Sequence, residues 1–202
     1  MAFKTVILCE KQKQVKFLKS GYKLNKTKSF NGVVSAHYDR EDGLCVVGLS
    51  GHLLELAPPE FYESSLRRDK AGWNIECLPV IPDGERWKLV PKKGHSAKET
   101  KRIKGLLGGI EWAFKGNGQP GEICIAVDND KEGELLGWET LEYFGLADHP
   151  NKTRMLYSQI SEKAMMAAFD GRGDAKDWYT RYLAGLARLY ADWLIGMNVT
   201  IA

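Results

Sequence analysis

A short apolar run that leads into a cluster of acids constrains the fold more than any other segment of this sequence. Residues 123–127, ICIAV, continue directly into the acidic segment 128–134, DNDKEGE. Apolar residues then recur about every three positions, at Leu135, Trp138, Leu141 and Phe144. This spacing predicts a helix. The uninterrupted apolar run before the acids predicts a strand buried on both faces, as in parallel sheets.

Other segments predict further strands and helices of the same architecture. Strands are predicted at 5–9, 44–49 and 153–158. Helices are predicted after Glu10, from Ser96 to 114 with Glu99 as a capping-box partner, and from Ser161 to 169. A last helix carries an apolar stripe at Leu183, Leu186, Ala187, Tyr190, Leu194 and Met197. Strands that alternate with helices imply an α/β fold, with a mostly parallel sheet that helices flank on both faces.

Two stretches interrupt this alternation. The pair Pro58-Pro59 excludes regular structure at that point. Residues 58–96 are then predicted to form an extended connection, held in place by aromatic residues near Trp73 and Trp87. The segment 170–174, DGRGD, predicts a break and a domain boundary, which divides the chain into residues 1–170 and the start of a helical domain at 171–202.

Length, hydropathy and cysteine usage exclude several classes of protein. The 202 residues suffice for one or two domains with a real core. No apolar run approaches the ~20 residues that span a bilayer, and Glu10 follows the start too closely for a signal peptide. A cytoplasmic protein without a membrane partner is therefore expected. The cysteines form no CxxC pair, which disfavours structural zinc and fits a reducing compartment; they are Cys9, Cys45, Cys77 and Cys124.

Basic residues are distributed unevenly, although the net charge is only +3. No acid occurs between Lys11 and Tyr38, a stretch that holds seven lysines. A second basic stretch covers residues 86–104. Such clusters either contact nucleic-acid phosphates or form an ordinary solvated surface, and charge alone leaves both interpretations open.

Acids follow two of the predicted strands at the point where each strand ends. Glu10 follows the first strand, and Asp128, Asp130 and Glu132 follow the strand at 123–127. In an open parallel sheet, functional groups gather at the carboxyl ends of the strands. Carboxylates that meet there need a compensating charge, and Mg²⁺ prefers carboxylate oxygens as ligands. The sequence therefore predicts a magnesium site, provided that the two strands are neighbours.

The acidic segment has two other interpretations. It could be a solvated turn whose acids favour the positive end of the helix dipole. Asp128, Asp130, Gly133 and Glu139 also occupy positions of an EF-hand calcium loop. That loop lies between two helices, however, whereas residues 123–127 predict a strand, so the EF-hand interpretation is disfavoured.

Several motifs together resemble one family. The segment 128–134 resembles the DxDxEG element of Toprim domains, above all the version found in type IA DNA topoisomerases, and residues 6–11, VILCEK, resemble the opening strand of that family. The Glu-Lys pair is closest to the topoisomerase III branch. Further similar stretches follow in the expected order, at 51–55, 73–89, 186–188, 191–194 and 196–200. The sequence departs from the family at Lys131, where arginine is usual, at Gln12, where proline is usual, and at Tyr190, which replaces a basic residue.

The resemblance implies a fold, a cofactor and a role for each site residue. Residues 1–170 would form the Toprim domain, and residues 171–202 would begin a helical DNA-binding domain. Asp128 and Asp130 would bind Mg²⁺, with Glu132 as a third or water-mediated ligand. Glu10 would act as an acid-base or positioning group, and Lys11 would stabilise the charge of a phosphate. Arg188 and His52 would contact single-stranded DNA. Each residue also has an ordinary alternative, such as a solvated lysine or a hydrogen-bonded loop histidine.

The family cleaves DNA with a tyrosine that lies well beyond this stretch. None of the eight tyrosines here occurs in a segment that resembles the active-site motif. We therefore expect a monomeric N-terminal fragment, nucleoid-associated in the cytoplasm, that binds Mg²⁺ and single-stranded DNA but relaxes no DNA alone. A stand-alone Toprim nuclease and a non-catalytic binding module remain as alternatives.

Overall fold

The computed structural model describes residues 1–63, 76, 78–82, 87–116 and 118–201. Trp73 and Cys77, named above, lie outside these residues. The strands are β1 Thr5–Cys9, β2 Lys26–Phe30, β3 Val33–Asp39, β4 Leu44–Gly48, β5 Leu54–Leu56, β6 Leu89–Pro91, β7 Glu122–Ala126, β8 Lys152–Arg154 and β9 Gly173–Asp174. The helices are α1 Gln12–Gly21, α2 Pro59–Tyr62, α3 Ala97–Lys115, α4 Lys131–Tyr143, α5 Glu162–Asp170 and α6 Tyr179–Ile201. A short 3₁₀ helix, Ala175–Trp178, precedes α6.

A mixed, mostly parallel sheet forms the centre of the fold. Its order is β2-β3-β4-β1-β7-β8-β9. Strand β1 lies in the middle and pairs in parallel with β4 and β7, and β7 pairs in parallel with β8. The outer strands β3, β2 and β9 run antiparallel to their neighbours. The predicted α/β class is therefore confirmed.

Helices cover both faces of the sheet, because successive side chains of a strand point to opposite sides. Val6 and Leu8 belong to one core cluster, together with apolar residues of α3 and α4. Ile7 and Cys9 belong to a second cluster, together with apolar residues of α1 and α5. Every residue of β1, β4 and β7 is buried, which explains their uninterrupted apolar runs.

The hairpin of β2 and β3 was not predicted, because its lysine-rich first strand lacks an apolar pattern. The hairpin turns at Asn31 and Gly32, both of which have positive φ. Strand β3 packs against α3 at a place where that helix carries glycine. A side chain at Gly109 would overlap the Cβ atom of Ser35, and one at Gly105 would press on the carbonyl of Phe30. Close packing of the hairpin thus depends on glycine in the helix.

Two other predictions were wrong in part. The pair Pro58-Pro59 does not exclude regular structure, because Pro59 begins the one-turn helix α2. Proline is tolerated at the first helical position, where its missing N–H has no partner to lose. The strand expected at 153–158 ends at Arg154, and Met155 makes the last backbone hydrogen bond to β7.

The last helix packs across α4, and its Trp193 belongs to a core cluster with Leu56 of β5, a strand of the two-stranded sheet β5-β6. The Trp193 indole donates a hydrogen bond of 3.1 Å to the carbonyl of Ala57. Trp87 stacks on Tyr190 with 4.1 Å between ring centroids, so aromatic contacts do hold the described part of the connection. Because β9 pairs with β8, the sheet continues past residue 170, and the division there stays a prediction. No helix in the described part of the chain is both long and apolar enough to cross a membrane.

Candidate functional site

The acids that follow β1 and β7 lie at one edge of the sheet. The two strands are neighbours, and the last pair in their register is Cys9 with Ala126. Both chains therefore leave the sheet at the same height. The backbone N–H of Asp128 donates a hydrogen bond of 2.9 Å to Oε2 of Glu10. The condition on which the sequence prediction depended, adjacency of these two strand ends, is met.

The ammonium group of Lys11 lies between the two carboxylates. Its Nζ atom hydrogen-bonds Oδ2 of Asp128 and is 3.7 Å from Oε1 of Glu10. The hydrogen bond to Asp128 raises the pKa of Lys11, against a smaller opposing effect of desolvation, and the charge of Glu10 raises it further. Lys11 is therefore fully charged and neutralises part of the acidic edge. Its side chain is 47% exposed, so the ammonium can leave without disturbing the core.

The side chain of Arg154 holds the main chain at the start of the acidic segment 128–134. This side chain is completely buried, and its Nη2 atom donates 2.8 Å to the carbonyl of Asp128. Its Nε atom donates 2.7 Å to Oε1 of Glu134, which is also completely buried. Sequence reasoning missed this pair. The available signal was an arginine inside the strand predicted at 153–158, because a charge that becomes buried in a sheet requires a partner.

Asp130 begins helix α4 as its N-cap residue. Its Oδ1 atom accepts a hydrogen bond of 2.7 Å from the backbone N–H of Gly133. A side chain at Gly133 would collide with the carbonyl of Asp128, so the turn requires glycine. The spacing of Asp130 and Gly133 in the segment 128–134 therefore serves the geometry of a strand-to-helix turn, in addition to any role of the acids.

The remaining predicted residues line a cleft beside this turn. His52, Asp130, Glu132 and Arg188 all line it, and its volume is about 330 Å³. Nε2 of His52 is 3.5 Å from Oε2 of Glu132. Arg188 has a side chain 73% exposed and lies 3.4 Å from Asp192 on the same helix. Arg181, for which the sequence indicated no role, holds the other side of the turn through hydrogen bonds to Asn129.

The structure therefore brings some predicted residues together and leaves others apart. Glu10, Lys11 and Asp128 are in direct contact, whereas Asp130 and Glu132 turn to other partners. Within the described ranges, no three His, Cys, Asp or Glu side chains converge as a ready metal site.

The residues nevertheless fit a hard divalent cation by two observations. The donors are carboxylate oxygens, the ligands that Mg²⁺ prefers, and two of the carboxylates already share a positive charge supplied by the half-exposed Lys11. A cation that displaces the ammonium would meet the same oxygens. The assignment of Asp128, Asp130 and Glu132 as ligands stays a prediction.

The fold and the site together define an α/β domain with an acidic site at the carboxyl ends of two adjacent parallel strands. The model of the Toprim domain matches residues 5–160, most of the chain, and the chain thus belongs to the Toprim domain family.

Similar proteins are type IA topoisomerases. DNA topoisomerase 3 of Salmonella typhimurium is 35% identical over 163 residues, which are 80% of this chain and 22% of that protein. DNA topoisomerase 3 of Staphylococcus aureus MRSA252 is 29% identical over 199 residues, 98% of this chain and 25% of that protein. Full-length topoisomerase I of Thermotoga maritima has a TM-score of 0.52 at 17% identity, over 95% of this chain and 24% of that one, which supports the fold alone. The chain thus spans about a quarter of the length of these relatives and corresponds to their N-terminal part.

Proposed function

We propose that this chain is the metal-binding N-terminal part of a type IA DNA topoisomerase of the topoisomerase III branch. One observation carries the proposal. Glu10 and Asp128, which follow different strands, are joined by a hydrogen bond, and the ammonium of Lys11 lies between their carboxylates. A surface cluster of solvated acids would not need a lysine in contact with both.

Each residue of this group has a chemical task in strand cleavage and rejoining. Asp128 and Asp130 would hold Mg²⁺, with Glu132 as a direct or water-mediated ligand, and the bound ion would position a DNA phosphate and offset its charge. The Lys11 ammonium would stabilise charge that develops on that phosphate. Glu10 would donate a proton to the 3′ oxygen when that oxygen leaves, and it would take the proton back when the strand is rejoined.

The nucleophilic tyrosine of this reaction is proposed to lie in another part of the protein. Two tyrosines, Tyr157 beside Asp128 and Tyr182 beside Glu142 on α4, are poorly suited to attack a phosphate. Burial raises the pKa of Tyr157, and the nearby charge of Asp128 raises it further. Burial also raises the pKa of Tyr182, and its hydrogen bond to Glu142 adds to the effect. A raised pKa disfavours the phenolate that would be the stronger nucleophile.

Single-stranded DNA is the proposed partner of the cleft beside the acidic turn. Arg188 and His52 line this cleft together with Asp130 and Glu132, so a backbone phosphate could contact a guanidinium close to the acidic edge. By the same proposal, the protein acts as a monomer at the nucleoid, in the cytoplasm.

The proposal is tested by binding of fluorescein-labelled single-stranded DNA to the 202-residue chain, measured by anisotropy with and without Mg²⁺. Mg²⁺ is expected to change the affinity of the wild type, and the double variant Asp128→Asn, Asp130→Asn is expected to lose that response. Glu111→Gln is the matched control, since Glu111 is exposed on α3. A wild type that ignores Mg²⁺ would overturn the proposal, and nicking of plasmid DNA by this chain alone would favour a nuclease instead.

A further inference from the structure

All polar atoms of Asp128 have a partner, and one of these partners was not anticipated. Its N–H donates to Glu10, its carbonyl accepts from Arg154, and its Oδ2 atom contacts Lys11. The remaining atom, Oδ1, accepts a hydrogen bond of 3.4 Å from the hydroxyl of Tyr157. The two oxygens of this carboxylate are thus held by different groups, one cationic and one neutral.

The direction of the Tyr157 hydrogen bond follows from a second contact. Gln14 is completely buried, and its Oε1 atom accepts a hydrogen bond of 2.7 Å from the backbone N–H of Lys11. Its Nε2 atom is therefore the end that faces Tyr157, and it donates to the phenol oxygen. Since Gln14 acts as the donor in that contact, the single phenol proton is free to point to Asp128.

The two partners of the Asp128 carboxylate differ in how firmly they are held. Lys11 has a flexible and 47% exposed side chain. Tyr157 is anchored by Gln14, and its ring packs against the core cluster shared by β1, α1 and α5. A cation that displaced the Lys11 ammonium would leave the hydrogen bond from Tyr157 to Oδ1 in place.

We propose that Tyr157 is a positioning residue that orients the Asp128 carboxylate, through a hydrogen-bonded relay from Gln14, for binding of a divalent cation. The inference rests on the proposed function, because it assigns a supporting group to the same site. Partners that hydrogen-bond to a metal ligand fix its orientation, and their loss weakens metal binding by about tenfold or more.

The test removes one oxygen atom. Tyr157→Phe in the 202-residue chain is expected to weaken Mn²⁺ binding, measured by electron paramagnetic resonance, by about tenfold. The metal-free melting temperature should fall by no more than about 10 °C, since Tyr157→Phe loses two hydrogen bonds, the one to Asp128 and the one from the buried Gln14. Tyr143→Phe is the control, because Tyr143 is a partly buried tyrosine at the end of α4, away from the acidic edge.

A double-mutant cycle separates positioning from a general structural effect. In an Asp128→Asn background, Tyr157→Phe should no longer change the affinity for Mn²⁺, because the group it orients is absent. An equal loss in both backgrounds, or an unchanged affinity in the single variant, would overturn the role of Tyr157 and leave the metal site standing. A wild type whose Mn²⁺ binding is absent or insensitive to Asp128→Asn would instead overturn the proposed function, and the inference with it.

Discussion

Glu139 offers a quantitative test of how the stability of the fold responds to pH. This residue lies on α4 and is 4% exposed, and the acids Glu142 and Glu132 lie on the same helix. Burial raises the pKa of Glu139 to about 8, and the charges of Glu142 and Glu132 add to the effect. A carboxyl group of this kind is largely neutral at pH 7.

The sign of the stability effect follows from this shift. The folded state binds the Glu139 proton more tightly than the unfolded state, whose pKa is near the ordinary 4.5. Stability from this group is therefore fully present below about pH 4.5 and is lost as the pH rises through about 8. Between pH 5 and pH 7, linkage predicts a loss of about 2.5 kcal/mol from Glu139 alone.

Replacement of Glu139 by glutamine should abolish this loss, since the amide keeps the shape of the side chain but does not titrate. Urea denaturation followed by tryptophan fluorescence would give the free energy of unfolding at pH 5 and pH 7. We expect the difference between variant and wild type to shift by about 2.5 kcal/mol in favour of the variant at pH 7. The exposed Glu111→Gln serves as control, and a difference that is the same at both pH values would refute the assignment of a raised pKa.

Two further predictions concern the groups that hold the acidic turn. Arg154→Met should lower the free energy of unfolding by about 3–5 kcal/mol, because it leaves Glu134 buried without its ion pair; Arg188→Met, whose pair is exposed, should cost under about 1 kcal/mol in the same urea titration. A similar cost for both would contradict the importance of burial. Gly133→Ala should abolish Mg²⁺-dependent DNA binding, because the added methyl group collides with the carbonyl of Asp128, whereas Gly173→Ala, which meets no atom within 4 Å, should leave that binding unchanged.

Much of the fold could be predicted because its central strands are buried on both faces. The apolar runs at 5–9 and 123–127 have no other simple interpretation, and the acids that end them point to the same edge of a parallel sheet. The N-caps at Ser96 and Ser161 were also predictable from the local sequence. In the structure, each serine accepts a hydrogen bond from the backbone N–H of the third residue of its helix. These features are local in sequence or follow from strand polarity.

The contacts that complete the site could not be predicted in the same way. Tyr157 and Gln14 are separated by 143 positions, and nothing in either local sequence indicates their contact. The strand at Lys26–Phe30 was missed for a related reason. All its residues but the last are exposed, so it lacks the apolar pattern by which a strand is recognised. Its place in the sheet depends on β3 and on the glycines of α3.

The exposed strand β2 has a consequence for the association of one copy of the chain with another. It forms one border of the sheet and pairs only with β3 among the described strands, so its outer backbone groups could template a strand from a second copy. Lys26 and Lys28 stand on this border. Two copies that approached border to border would bring these ammonium groups against their own counterparts, and we expect that repulsion to keep the chains from adding to one another's sheets at high concentration.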